Sequence, residues 1–411
     1  MKHVFRLMAL MIGVVVLLMP DVAFAGACED TYPYRSVASG NWNTNTTWQC
    51  YNGTSWVTPD SGQYPKAISN VVTIQSGTNV MLNVTDFLGT MTVNPGGNLV
   101  IAGNYPLNAV ATINGTLTLT SGTLTTNNLL TMGNGATIVR DVGTLSAAPS
   151  IPVGLINVTY TGTTAVTTAL EFPATINNLT INKSGGVTLS ASRTVNGIVA
   201  LNAGNLTAGT GSNQLFLAST ATVTAAGGGD VIGDVVRNHA FTLGTTYTFN
   251  NPNTSIQFIS GTPPTSVTIN LTLVKPSAFA TAIPRTYQIT PSNSSTFAAT
   301  LSLRYANSEK TGMTEANLKL WRYNSMSSRW VPHGGAGHPD ATNPYVSLTG
   351  MTDFSSWAIS DKGTTTPVKL SSFSAQTESD PMLPVAVGAI ALLGGAGGIL
   401  LAVKKKCRAS L

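Results

Sequence analysis

Asp230 and Asp234 are the one close pair of carboxylates between residues 60 and 240, a stretch that otherwise offers Asp60, Asp86, Asp141 and Glu171. Polysaccharide lyases and hydrolases use clustered carboxylates, often with a Lys or Arg beside them, to bind metal and to move protons. Arg237 and His239 follow this pair closely. Alternation on a strand places residues four apart on one face, but Gly227-Gly228-Gly229 marks a turn just before them. The pair therefore reads first as a solvated loop or a weak calcium site, with a catalytic dyad as the alternative.

A second constellation is His333-Gly334-Gly335-Ala336-Gly337-His338-Pro339-Asp340, which sets His333, His338 and Asp340 on a glycine-rich loop as three candidate ligands for zinc or copper. No fourth ligand lies nearby, and a plain inter-strand loop has the same composition. Trp42, Trp48 and Trp56 are candidates for stacking on sugar faces; two ordinary core tryptophans fit the first two equally well. Seryl motifs of the Gly-x-Ser-x-Gly type, phosphate-cradling loops and cysteine nucleophiles are missing. Catalysis is thus the minority reading, and no cofactor is expected beyond such a calcium or zinc ion. Sequons at Asn83, Asn114, Asn178 and Asn205 follow from a chain rich in Asn and Thr.

The elements that must position these residues are strands. From about Val71 to Ile232 the chain runs in short alternating segments such as Val71-Val72-Thr73-Ile74, Thr90-Met91-Thr92-Val93, Thr116-Leu117-Thr118-Leu119 and Leu179-Thr180-Ile181. Asn-Gly, Gly-Gly and Ser-Gly pairs punctuate them, which is the strand-and-turn signal. The segment 113–125, Ile-Asn-Gly-Thr-Leu-Thr-Leu-Thr-Ser-Gly-Thr-Leu-Thr, aligns without gaps on 195–207, Val-Asn-Gly-Ile-Val-Ala-Leu-Asn-Ala-Gly-Asn-Leu-Thr. Upstream, Met91-Thr92-Val93-Asn94 with Gly96-Gly97 matches Leu179-Thr180-Ile181-Asn182 with Gly185-Gly186. Two related halves of stacked coils, each of roughly 20 residues, predict an all-β chain with a parallel β-helix body over 71–239. A pair of β-sandwiches is the runner-up.

Residues 26–70 are expected to cap the body. Ser39-Gly40-Asn41-Trp42 through Thr47-Trp48, Pro65, Val71–Ile74 and Gly77–Val80 resemble the start of bacterial cell-surface β-helix proteins of the G8-like and adhesin type, in which such an aromatic segment closes the first coil. Prolines cluster from about Ala240, and aromatics and charges return, which predicts a β-sandwich domain over 240–361. Glu315-Ala316-Asn317-Leu318 and Phe354-Ser355-Ser356-Trp357-Ala358-Ile359 resemble the C-terminal sandwich that often precedes anchors in such proteins. Residues 362–382, rich in Thr, Ser and Pro, read as a stalk.

The two termini specify a topology. Residues 1–25 read as a signal peptide: Lys2 and Arg6, an apolar run to Met19, then Ala23-Phe24-Ala25 with cleavage before Gly26. A lipoprotein cut before Cys28 is the weaker alternative. Leu383 to Val403 is a 21-residue segment without charge, followed by Lys404, Lys405, Lys406 and Arg408 in the tail 404–411. It reads as one transmembrane helix with a cytoplasmic C-terminus and the body on the extracellular face. Gly394 and Gly398 could bring two such helices together as a homo-oligomer. Leu383-Pro384, the apolar run and the basic tail resemble a bacterial sorting signal, but Ala386-Val387 replaces the Thr-Gly bond that a sortase cuts.

The leader holds Lys2, Arg6 and Asp21 and the tail four basic residues, so of 21 Lys and Arg and 16 Asp and Glu the segment 26–382 keeps 15 and 15. A neutral body has no footprint for nucleic acid. Cys28 and Cys50, both exported, are candidates for a disulfide, and Cys407 stays reduced inside. Read together, these features point to a non-enzymatic, surface-anchored structural or adhesive protein whose partner is a polysaccharide or another surface protein. A polysaccharide-processing β-helix enzyme and a self-assembling sheath or filament subunit are the alternatives.

Overall fold

The computed structural model describes Cys28, residues 31–293 and residues 296–362. The expected leader, most of the stalk, the apolar segment 383–403 with Gly394 and Gly398, and the tail with Cys407 lie outside the described residues. Among the described residues the only helices are three single turns, Asn45–Thr47, Asn307–Glu309 and Glu315–Asn317, and no helix is long and apolar enough to cross a membrane.

The described residues are all-β, and those from 34 to 238 form a β-solenoid of about eight turns. One parallel sheet of nine strands runs its whole length, from Gly40–Asn41 through Asn79–Leu82, Asn98–Ala102 and their successors to Thr222–Thr224. Parallel pairing throughout excludes tandem sandwiches for this part. Alternation explains the stack. Val80, Leu99, Leu117, Ile138, Val158, Leu179, Val199 and Val223 lie in register from coil to coil and are all buried. Each such side chain contributes about 1.5–3 kcal/mol by leaving water. Residues one step along face outward and tie coils together as a polar ladder: Asn98 Nδ2 donates to Asn79 Oδ1 (2.9 Å), and Thr118 Oγ1 to Asn98 Oδ1 (2.9 Å).

The gapless repeat has a structural counterpart. Ile113 and Val195 each end a strand, Thr116–Ser121 and Ile198–Ala203 each belong to the nine-stranded sheet, and Thr123–Thr125 and Leu206–Thr207 each form the short strand after the corner. The upstream match does not correspond: Thr90–Val93 lies in a different sheet from Leu179–Lys183. An alternating strand followed by a glycine corner recurs at more than one edge of the coil, so similar residues serve different faces.

Between residues 146 and 165 the nine-stranded sheet alone supplies a strand, apart from an isolated parallel bridge between Thr131 and Ser150. The sheet ending at Leu130–Met132 and the one ending at Thr144–Leu145 stop there, and the sheets begun by Val166–Thr167 and Thr175–Ile176 take over. The solenoid thus has a seam, and charged side chains fill it.

Both ends are covered. Strand Trp48–Tyr51 folds back antiparallel on Tyr34–Ser36 and Trp56–Val57 antiparallel on Trp48–Tyr51, while Tyr34–Ser36 pairs parallel with Val71–Ile74. The first coil is therefore built from the segment expected only to cap it. At the other end Val231–Asn238 pairs parallel with Leu206–Thr207 and Leu215–Leu217, and antiparallel with Ser266–Thr272. The region beyond residue 240 is antiparallel and shares this sheet with the solenoid. It includes Thr246–Asn251, Thr254–Gly261, Phe297–Arg304 and Tyr345–Met351 in one sheet. The hairpin Lys319–Asn324 to Arg329–Gly334 pairs Tyr323 with Trp330.

Candidate functional site

Asp230 and Asp234 lie on one extended segment with the buried residues Val231, Val235 and Arg237, and both are themselves buried. A strand rises about 3.3 Å per residue, so four residues separate them by about 13 Å, beyond the roughly 5–9.5 Å that paired glycosidase carboxyls need. Their partners do not overlap. Asp230 Oδ2 accepts from Arg285 NH2 (2.8 Å) and Arg304 NH1, and Arg285 Nε also reaches Glu309 Oε2 (2.6 Å). Although burial opposes it, Tyr287, Asp230 and Glu309 together raise the pKa of Arg285 and hold its charge. Asp234 accepts from Gly211 N (2.8 Å) and Gln214 Nε2 (2.8 Å) through Oδ2, and from Asn270 Nδ2 (2.6 Å) through Oδ1. Asp230 rivets the last coil to the antiparallel region, and Asp234 ties together three segments of that junction.

Arg237 and His239 do not join either carboxylate. The Arg237 guanidinium donates to the carbonyls of Thr248 (2.9 Å), Ala218 (2.7 Å) and Ala221 (2.6 Å). Burial lowers its pKa to about 10, so it remains a cation at neutral pH, closing the open carbonyls of the final coil. His239 Nδ1 lies 2.9 Å from Ala240 O, and its ring packs on Phe241 and Tyr247.

The histidine loop is also dispersed. His333 meets the edge of Trp357, with centroids 5.3 Å apart, and its pKa is lowered by burial and by the charge of Arg322. His338 stacks on Tyr345 and its Nε2 lies 2.7 Å from Ser347 Oγ. Asp340 Oδ1 accepts from the backbone N–H of Thr342 and Asn343, which lowers its pKa. Among the described residues no three His, Cys, Asp or Glu side chains gather to hold a metal ion. The glycines that suggested a flexible clasp instead lead from one strand, Arg329–Gly334, into another, Ala336–His338.

Trp42 and Trp48 are fully buried and present no ring face to a sugar. They meet edge to face at 4.9 Å, Trp42 packs on Phe87, and their indole N–H groups donate to Pro65 O (2.8 Å) and Trp42 O (2.7 Å). This is the core of the N-terminal cap, pinned further by the Cys28–Cys50 disulfide, Cα–Cα 5.8 Å. Trp56 is half-buried, with the Arg35 guanidinium 4.2 Å above its ring.

The seam holds charges that the sequence reading passed over. Arg140 occupies the inward column of Leu82, Ile101, Leu119, Tyr160, Ile181 and Leu201. Its guanidinium pairs with buried Glu171, and donates to Gly143 O (2.8 Å) and Thr167 O (3.0 Å), bridging the coils where the short-strand ladder is interrupted. Glu171 Oε1 also accepts from Tyr160 Oη (2.7 Å) and Ala169 N (2.9 Å). Burial and the charge of Glu171 raise the Tyr160 pKa well above its ordinary value, so Tyr160 stays protonated as a donor. Buried Lys183 reaches two coils back to Asp141 Oδ1 (2.7 Å) and also donates to Thr161 O (2.6 Å). The signal was present: alternation through Thr137-Ile138-Val139-Arg140 points Arg140 inward with Ile138.

No protein-family profile, curated protein or solved structure matches the chain.

Proposed function

We propose that the chain is a non-enzymatic structural or adhesive protein that projects a rigid β body from a cell surface. The observation that carries this reading is the use of the solenoid's carboxylates: Asp86, Asp141, Glu171, Asp230 and Asp234 each hold one part of the fold to another. A carboxylate committed to a structural cation or amide is not free to exchange protons with a substrate. The enzyme reading through Asp230 and Asp234 has no converging pair to rest on. Antiparallel strands and Arg237 cover the two ends, which disfavours end-to-end growth of a filament.

In this reading the antiparallel region is a β-sandwich at the base of the solenoid, residues 1–25 direct export, and 383–403 anchor the chain with residues 404–411 inside the cell. About eight coils at about 4.8 Å each give a stack of roughly 40 Å. Partners are a polysaccharide or another surface protein. Protease treatment of intact cells expressing the full chain tests the topology. The body should be released or degraded while an epitope fused after Leu411 stays protected; a body protected until the cells are lysed would overturn the proposed topology.

A further inference from the structure

Residues 273–285, which follow strand Ser266–Thr272, strap across one face of a sheet made by Thr286–Pro291, Ser356–Ser360, Lys319–Asn324 and Arg329–Gly334. Tyr287 and Trp357 on these strands belong to the main core, whereas Trp321, Trp330 and Ala358 pack on the strap residues Phe279 and Ala282 as a second, separate core. Trp330 Nε1 donates to Ser277 O (3.1 Å), fixing the strap over the hairpin. Between strap and sheet lies a cavity of about 350 Å³, within the size range of small-molecule sites.

Its lining has an unusual composition. Half-buried Tyr323 and buried Trp330 are among the lining residues, and Thr272, Ser277, Thr286, Ser328 and Ser356 are the hydroxyl-bearing ones beside them. The hydroxyls of exposed Thr272, Ser277 and Ser328 and of half-buried Tyr323 make no hydrogen bond within the described residues and so face solvent, open to a ligand. Lys275 is the one charged residue of the lining, and its ammonium is engaged by Ala280 O (3.0 Å). Ala278 and Ser328, both in the lining, have positive φ of 58° and 51°. For residues other than Gly, Asn and Asp this is a costly conformation of the kind that clusters at ligand sites.

Ligand classes can be eliminated on this chemistry. A metal cation finds no carboxylate, and an anion finds only one ammonium, part of whose hydrogen-bonding capacity is taken by Ala280 O. A wholly apolar ligand would strip water from several hydroxyls and return no hydrogen bond, at a cost for each. What remains is a neutral molecule with an apolar face and a rim of hydroxyls. We propose that this cavity binds one neutral pyranose ring of a glycan, with the ring's C–H face on Tyr323 and its hydroxyls meeting the Ser and Thr side chains. The proposal deepens the adhesive reading and rests on it for its biological setting only.

Saturation-transfer NMR on the detergent-solubilised full chain tests it, with glucose, galactose, N-acetylglucosamine, cellobiose and glucuronate as probes. A one-ring site predicts a dissociation constant on the order of 1 mM for at least one neutral sugar. Tyr323→Ala, which removes the aromatic face, should weaken it roughly tenfold. Thr272→Phe, made at an exposed strand position that tolerates an aromatic, should fill the cavity and abolish transfer without lowering the melting temperature. Transfer to none of the neutral sugars, transfer that survives both variants, or a preference for glucuronate would each overturn the assignment. Those failures would leave surface display standing, since protease accessibility reads it independently.

Discussion

Replacing Glu171 by Gln removes the counter-charge of Arg140 while leaving an amide oxygen to accept from Tyr160 and Ala169. Both side chains of the ion pair are at least nine-tenths buried, and removing one partner of such a pair costs about 3–5 kcal/mol because the other charge stays in the core. Arg140→Leu alone carries a similar cost, since it strands the carboxylate. The double variant Arg140→Leu/Glu171→Gln removes both charges and restores the apolar column that Leu119 and Ile181 belong to. What it leaves is chiefly the carbonyl of buried Gly143 without its donor, about 1–3 kcal/mol. The double variant should therefore be more stable than the sum of the singles predicts by at least about 3 kcal/mol. Denaturant unfolding gives the totals, and hydrogen exchange gives the location. In a solenoid each coil touches only its neighbours, so Glu171→Gln should first lose protection at amides of residues 156–165, where a single sheet spans the seam. Additive singles, or a Glu171→Gln cost below about 0.5 kcal/mol, would refute the view that this pair staples the two halves.

Other expectations follow from single sites. Gly162 has φ +88°, and an added Cβ would lie 2.2 Å from Asp141 Oδ1. Gly162→Ala should therefore disturb the Asp141–Lys183 bridge and cost about 1–3 kcal/mol in denaturant unfolding. Cys28 and Cys50 are 22 residues apart, so Cys28→Ser/Cys50→Ser should lose about 3 kcal/mol; an unchanged midpoint with and without reductant would contradict this. The lowered pKa of His333 means that the unfolded chain binds its proton more tightly than the folded one. Its contribution is thus neutral above pH 6.5 and destabilising as the pH falls below that value. His333→Gln should flatten this part of the stability profile, and an unaltered slope would sink the assignment.

Much of the solenoid was legible because a buried parallel stack leaves a simple trace. Val71–Ile74, Thr90–Val93, Thr116–Leu119 and Leu179–Ile181 all alternate, and all four are strands. What alternation cannot convey is which face a strand joins, which is why Met91 and Leu179 matched in sequence yet lie in different sheets. Trp42 and Trp48 carried no mark of burial, because an indole with its N–H satisfied serves a core as well as a surface. The Asp230 and Asp234 separation follows from strand rise alone, but their commitment to Arg285, Arg304 and Asn270 depends on segments 36–74 residues away, beyond the reach of any local pattern. The cavity beside Tyr323 is likewise assembled from distant strands, and its strap, rich in Pro and Ala, reads locally as a plain connection.

Whether these carboxylates serve the fold, as proposed, or a reaction is tested most directly at Asp234. Asp234→Asn keeps an acceptor oxygen for Asn270, Gln214 or Gly211 while abolishing any proton transfer. The decisive measurement compares cells displaying the full chain with and without this substitution, for attachment to a neutral polysaccharide surface and for release of soluble sugar from it. Attachment by both and sugar release by neither is the predicted result. Sugar release by the original chain that Asp234→Asn abolishes, at an unchanged melting temperature, would contradict the account and establish an enzyme.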